Sequence, residues 1–467
     1  MVRGESMGIS ANVKKIILLA GDIVALSMAL VIAILIRYPG RMLVEPGDLI
    51  RLHFASFVVL FAGWLVVFYI YNLYELRYLE NSASFFGVAA QAFGLNALIA
   101  VVFFYFNPYA AIAPRTVLFI DIVLSVALFG AWRVFFNRLL ARKLVTNLVL
   151  VSVSPPMLSL ARNVAQKASL GYRVVAFISG DGATLPEDLT HIPLFNIEAF
   201  KRYISAWQPG ENAVVVVEKH FVQTQAHAEL LFSLLPAPLT FRTLPSFIER
   251  VFQRVPISEV SEAWFLENLS EGDKRFYERA RRIFDMAGAI VIGAATLPLM
   301  AFVALGIKLE DGRTVLYRQT RVGKNGKIFA LVKFQSMVEN AEAAGPQWTK
   351  TNDPRVTGFG AFLRSTRLDE LPQLWNVFKG ELSFIGPRPE RPEFVQRLEK
   401  DIPFYRLRHL VRPGLSGWAQ INHPLHSVEE SYEKLEYDLF YIKNRSFAHD
   451  AAIALKTLSI ILRRKGR

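Results

Sequence analysis

Two adjacent carboxylates, Asp369 and Glu370, lie in the stretch Arg-Leu-Asp-Glu-Leu-Pro-Gln of a chain that is otherwise apolar and basic. Arg364 and Arg367 precede them by five and two residues. The blocks Gly386-Pro387-Arg388-Pro389-Glu390-Arg391 and Arg412-Pro413-Gly414-Leu415-Ser416-Gly417 follow. Guanidinium forks match phosphate oxygens in bidentate fashion. Paired carboxylates among arginines therefore suit a magnesium-bound diphosphate, with carboxylates on the metal and arginines on the phosphates. One carboxylate could also attack phosphorus and divide one displacement into two. The plain alternative is a helix start. Leu371, Leu374, Trp375 and Phe378 recur at helical spacing before Gly380, which puts Asp369 at an N-cap and Glu370 in the first turn.

The whole chain narrows the choice. With 467 residues it is too long for one core. It is 52% hydrophobic with mean hydropathy +0.30, which points to membrane segments. The absence of cysteine excludes disulfides, thiolate nucleophiles and cysteine-ligated zinc. A net charge of +13 suits an anionic partner such as lipid headgroups or phosphorylated substrates. Zinc-finger spacing and RNP-like aromatic runs are missing, which argues against nucleic acid. Arg3, Lys14 and Lys15 ahead of an apolar run imitate a signal peptide, but no small-residue cleavage pattern closes the run.

Four apolar stretches, near 16–36, 54–71, 85–106 and 117–136, predict four transmembrane helices within residues 1–144. Arg133, Arg138, Arg142 and Lys143 after the fourth place both ends in the cytoplasm, although Arg37, Arg41 and Arg51 on the first loop oppose that bias. Asp22 and Asp121 fall inside spans, as functional groups or as packing devices. Residues 145–245 alternate β-branched runs with helical stretches, which predicts a Rossmann-like α/β domain. Its first βα turn is Ser152-Val153-Ser154-Pro155-Pro156. That turn lacks the glycines a dinucleotide requires.

Residues 246–280 read as a connector. Residues 281–467 read as a mostly helical catalytic domain with a re-entrant membrane helix over about 284–309, broken at Pro298. Basic clusters flank that run, Lys274 to Arg282 before it and Lys308, Arg313 and Arg318 after it. A helix that bends and returns keeps both on one face. Residues 451–462, ahead of Arg463-Arg464-Lys465, form either an interfacial helix or a packed one. His423 and His426 read as surface residues.

Several long blocks in fixed order resemble the monotopic phosphoglycosyl transferases, also called bacterial sugar transferases. They are YRQTRVGKNGKIF (317–329), KFQSM (333–337), the run 352–394 through Asp369 to Phe394, RPGLSGWAQI (412–421) and KLEYDLFYIKN (434–444). The four spans and the Rossmann-like domain resemble the large subgroup of that family.

The resemblance implies transfer of a sugar 1-phosphate from a UDP-sugar to polyprenyl (undecaprenyl) phosphate, releasing UMP. This is the first membrane step of exopolysaccharide or O-antigen synthesis. It implies a nucleophile at Asp369 and a Mg2+ partner at Glu370, with Asp369 also on the metal. Substrate-binding positions are implied at Lys333, Arg364, Arg388, Arg321, Arg412 and Asp438, and a helix break at Pro298. It further implies a homodimer in the bacterial inner membrane with a cytoplasmic active site. Gln335 stands where the family block carries arginine. A nucleotide-sugar dehydratase or epimerase would need the glycine fingerprint and a Tyr-x-x-x-Lys pair, and the chain has neither. A non-enzymatic scaffold would leave the charged blocks around Asp369 unexplained. The sugar itself has no legible code.

Overall fold

The computed structural model describes residues 11–44, 46–71, 73–74, 83–106, 115–140, 145–167, 170–179, 183–206, 213–218, 221, 225–269, 272–312, 314–338, 341, 353–423 and 428–462. The sequence features at Arg3, Arg142, Lys143, Arg313, His426 and Arg463–Lys465 lie outside the described residues. The chain divides into two compact units, Met1–Phe247 and Ile248–Arg467.

In the first unit, apolar runs long enough to satisfy their own backbone form the helices Ala11–Arg37, Pro46–Ile70, Ala83–Phe106 and Arg115–Phe135. Each contains a span long and apolar enough to cross a membrane. Their shared core is aromatic. Phe57, Trp64, Phe68, Phe85, Phe129 and Phe136 are all essentially inaccessible. One ion pair ties the helices together. Asp22 is fully buried and accepts from Arg133 Nη2 at 2.6 Å and from Nε at 3.3 Å. The remaining Nη1 donates to Leu73 O at 2.7 Å, and the guanidinium lies 4.8 Å over Phe129. Asp22 is thus a packing device. Arg133, which the sequence places among the cytoplasmic charges, is neutralised by this buried partner. The Asp121 carboxylate is buried with no hydrogen-bond partner among the described residues.

The same unit holds a five-stranded, all-parallel sheet in the order β3-β2-β1-β4-β5. Its strands are β1 Thr146–Val151, β2 Tyr172–Ile178, β3 Leu194–Phe195, β4 Ala213–Val217 and β5 Leu239–Thr243. The order reverses beside β1, where doubly wound sheets place their ligand crevice. Ser152 there takes φ 108, and Ser154 caps the helix Pro155–Gln166 through Met157 N at 3.4 Å. Pro155 and Pro156 remove two of that helix's free N–H donors. The Ser154 hydroxyl donates to the carboxylate of Glu218, just past β4. A protein carboxylate therefore stands at the helix start where a dinucleotide would present its pyrophosphate.

The second unit begins with residues that read as a connector, yet Val255, Ile257, Phe265 and Leu269 are buried in its core. The helix Arg275–Asp311 runs 37 residues, about 55 Å, with Pro298 inside it. Its two ends dock on the unit. Arg281 donates to Ser383 Oγ and to Ile385 O, and Asp285 accepts from Phe384 N at 3.2 Å. At the far end Glu310 accepts from Phe359 N at 3.0 Å, and Ile307 packs with Phe334 and Leu363. Between these ends Val291, Leu297 and Phe302 are exposed. Beyond the helix lie the hairpin of β6 Leu316–Val322 and β7 Ile328–Phe334, and the parallel pair of β8 Ser383–Ile385 and β9 Gly414–Ser416. The terminal helix Phe447–Leu462 packs through Ile453. Its Asp450 accepts from Tyr277 and Tyr441 hydroxyls at 2.5 and 2.9 Å.

The Asp22–Arg133 pair yields a stability prediction. Asp22→Leu or Arg133→Met alone should cost about 3–5 kcal/mol by stranding a buried charge, whereas the double variant should recover most of it. Denaturant titration in detergent measures this, and additive losses would exclude the pairing.

Candidate active site

The helix Gly358–Thr366 ends at Arg367, whose φ of 58 is left-handed, a conformation that a non-glycine residue keeps only when its surroundings hold it. This reversal starts a 3₁₀ turn, Leu368–Gln373, followed by the helix Leu374–Lys379. Gly380 closes that helix at φ 85, as the sequence predicts. The start differs from the expectation. Arg367 occupies the cap position, and Asp369 and Glu370 both sit within the tight first turn. Pro372 accounts for this, because its missing N–H and its ring disfavour a continuous α-helix through the segment.

A second element brings a cation to the turn. Asn376 is buried on the helix behind it. Its Oδ1 accepts from Val332 N at 3.1 Å and its Nδ2 donates to Ala330 O at 2.7 Å, so one side chain stitches the helix to β7. Lys333, the next residue on β7, is thereby held within electrostatic reach of both carboxylates. Its burial lowers the ammonium to about 8, opposed by Glu370.

The two acids differ sharply. Glu370 lies 3.6 Å from Arg367 Nη1 and 3.6 Å from Arg388 Nη2. Burial works against its ionisation, but Arg388, Lys333 and Arg367 outweigh that and hold its carboxyl below the usual range. The Asp369 carboxylate forms no ion pair or hydrogen bond among the described residues. Burial first, and then the charge of Glu370, raise it to about 6, against the pull of Lys333, Arg364 and Arg367. The site thus holds one acid tied down and one free, ionised at neutral pH but only two units above its midpoint at pH 8.

Of the residues singled out in the sequence, Asp369, Glu370, Lys333, Arg364 and Arg388 come together here. Arg321 lies deeper, donating to Pro389 O at 3.0 Å and facing Glu390 at 3.7 Å. Arg412 pairs with Glu278 at 3.6 Å, and Asp438 is buried against Arg408 at 2.9 Å. His423 pairs with Glu433 at 2.9 Å. Arg408 carries no sequence signal, and although Arg367 stands out as a neighbour of the acids, its place depends on a positive φ that no pattern announces.

Two glycines explain why the Gly386 and Gly414 blocks belong together. A Cβ on Gly386 would stand 2.5 Å from Arg412 O, and one on Gly414 would stand 2.1 Å from Gly386 N. The backbones of β8 and β9 approach so closely that neither position has room for a side chain.

The carboxylate pair also suits Mg2+, which keeps several waters and takes one or two carboxylates with phosphate oxygens. Asp369 is unengaged and adjacent to a second carboxylate, which meets that demand. Among the described residues no group of three or more acidic or histidine side chains offers an all-protein cage.

The family model described as bacterial sugar transferase matches residues 276–464, which include every residue of this site. The chain is similar to a UDP-N-acetylgalactosamine-undecaprenyl-phosphate N-acetylgalactosaminephosphotransferase of Aeromonas hydrophila, at 44% identity over 187 residues. That stretch is 40% of this chain and spans less than half, 44%, of the relative. A UDP-galactose-lipid carrier transferase of Erwinia amylovora is 27% identical over 95% of both chains. A Bacillus subtilis (strain 168) protein is 47% identical over 140 residues, 30% of this chain and 78% of its own length. It carries the provisional name of undecaprenyl-phosphate N-acetylgalactosaminyl 1-phosphate transferase.

The unequal acids can be tested directly. Carbodiimide labelling of Asp369, which requires the protonated acid, should fall off with a midpoint near pH 6. Glu370→Gln should move that midpoint down, and Lys333→Met should move it up. Peptide mass spectrometry reads the modification, and a midpoint near 4 unaffected by either change would contradict the assignment.

Proposed function

Because the chain belongs to the bacterial sugar transferase family, we propose that it transfers a sugar 1-phosphate from a UDP-sugar to polyprenyl phosphate through a covalent intermediate on Asp369. The observation that carries this reading is the contrast between the two acids. Glu370 is held by two guanidiniums, whereas Asp369 is free, partly desolvated and ionised at working pH.

In the first step an Asp369 oxygen attacks the phosphorus that bears the sugar. The bond from that phosphorus to the bridging oxygen breaks, and UMP leaves with the electron pair. In the second step an oxygen of polyprenyl phosphate attacks the same phosphorus. The bond to Asp369 breaks, the carboxylate is regenerated and the diphosphate-linked sugar is released. Each step moves negative charge among phosphate oxygens, so fixed cations that require no reorganisation lower both barriers. Lys333, Arg364 and Arg388 supply them, while Arg367 and Arg388 hold Glu370 ionised. Asp369 and Glu370 would hold Mg2+, which supplies further neutralisation of the diphosphate when bound.

We also read the helix Arg275–Asp311 as re-entrant, with the reaction on the cytoplasmic face. Support comes from its two ends. Arg281 and Asp285 dock on β8, while Glu310 and Ile307 dock on the helix Gly358–Thr366, which belongs to the same compact unit. A helix that crossed a hydrocarbon core of about 30 Å would separate those ends onto opposite sides. Its bare apolar middle and Pro298 suit a segment that dips into one leaflet. The four apolar helices of the first unit support four membrane crossings that anchor the chain.

Asp369→Asn should abolish UMP release from a panel of UDP-hexoses that includes UDP-N-acetylgalactosamine and UDP-galactose, assayed in detergent with polyprenyl phosphate. Full turnover by that variant would eliminate Asp369 as nucleophile. The wild-type rate should rise as pH passes about 6, where Asp369 ionises, and fall above about 8, where Lys333 loses its charge. A Lys333→Arg variant that keeps the alkaline limb unchanged would remove Lys333 from the scheme.

A further inference from the structure

In the turn after β8 four consecutive carbonyls are each gripped from outside. Pro387 O accepts from Gly414 N at 2.9 Å, and Arg388 O accepts from Arg408 Nη2 at 3.0 Å. Pro389 O accepts from Arg321 Nη1 at 3.0 Å, and Glu390 O accepts from Val322 N at 2.9 Å. Prolines 387 and 389 fix φ on either side of Arg388. Few loops need such restraint merely to exist, and here it converges on the residue whose guanidinium faces Glu370.

The grip on Arg388 is itself built from charge. Arg408 is buried, and its Nη2 is shared between Arg388 O and Asp438 Oδ2 at 2.9 Å. Its Nη1 donates to the Tyr405 hydroxyl. Tyr405 is buried too, in the second unit's core. Burying an ion pair costs several kcal/mol per ion unless geometry repays it, so an apolar pair would serve bare stability as well or better. What an apolar pair cannot supply is a directed donor to a backbone carbonyl.

We propose that Arg408, oriented by Asp438 and Tyr405, is a positioning residue that fixes the Arg388 backbone and so aims its guanidinium at Glu370 and the diphosphate. This rests on the transfer reaction proposed above. Asp438 accordingly acts through Arg408 and Arg388, and touches no substrate. The aim of a side chain is set at its Cα, and displacements near 1 Å are enough to lower rates by about 100-fold.

A double-mutant cycle on the full-length chain, read by UMP release, tests the relay. Arg388→Ala should lower kcat by about 100-fold, Asp438→Asn by about 10-fold and Tyr405→Phe by about 3-fold. In the Arg388→Ala background the latter two losses should disappear, because nothing remains to be aimed. A merely structural role would leave the losses multiplying, to about 1000-fold for Asp438→Asn with Arg388→Ala, and that result overturns the proposal. So does full activity of both single variants. Tyr405→Phe removes one oxygen and keeps the packing, so it decides the matter if Asp438→Asn does not fold. Asp369→Asn in the same assay separates the two readings. If it is inactive while the cycle is multiplicative, the relay alone fails, and if it is active, the covalent reading fails.

Discussion

Two carboxylates on consecutive residues are drawn out of water together, and burial first and then their mutual repulsion oppose the charge on Asp369. At about 4 Å and an effective dielectric near 20, like charges repel by about 4 kcal/mol. Arg367 and Arg388 are applied to Glu370 and leave Asp369 to absorb the unfavourable field. The asymmetry is chemically useful. A nucleophile must be ionised yet not so well solvated that it is inert, and an acid lifted to about 6 by burial and a charged neighbour meets both requirements at neutral pH.

Holding cations at such a site requires rigid supports, and these come from the backbone. Arg367 leaves a helix in a left-handed conformation, Lys333 rides a strand stitched down by Asn376, and Arg388 projects from a turn whose carbonyls are all engaged. None of the three relies on a flexible loop among the described residues. The dinucleotide-type crevice of the first unit shows the opposite economy. There Glu218 and Ser154 satisfy each other and two prolines remove donors, so the helix start that would greet an anion is already occupied by the chain itself.

Much of this was legible in the residues alone. The apolar helices announced themselves by length, the parallel sheet by its β-branched runs in β1, β2 and β4, and the acidic pair by its arginine neighbours. What was not legible depended on pairings through space. β3 has only two residues, and the edge strand β5 exposes Thr240 and Thr243 and half-buries Arg242, so neither carries a β-branched apolar run. The 3₁₀ turn at Leu368–Gln373 looked like the first turn of an ordinary helix because the decisive event, Arg367 at φ 58, has no compositional mark. Residues 246–280 looked like a charged connector because their buried apolar positions are sparse along the chain and meet partners only in the folded core. Asp438 stands out through its motif, but its partner Arg408 has no mark in the sequence, because the two meet only in the folded second unit.

The contact between Gly386 and Gly414 has a bearing on how such a protein can change. Twenty-eight positions apart in sequence, the two blocks share one backbone seam with no room for a methyl group on either side. A side chain at either position would push the two strands apart, so change at one glycine is felt at once by the block that carries the other.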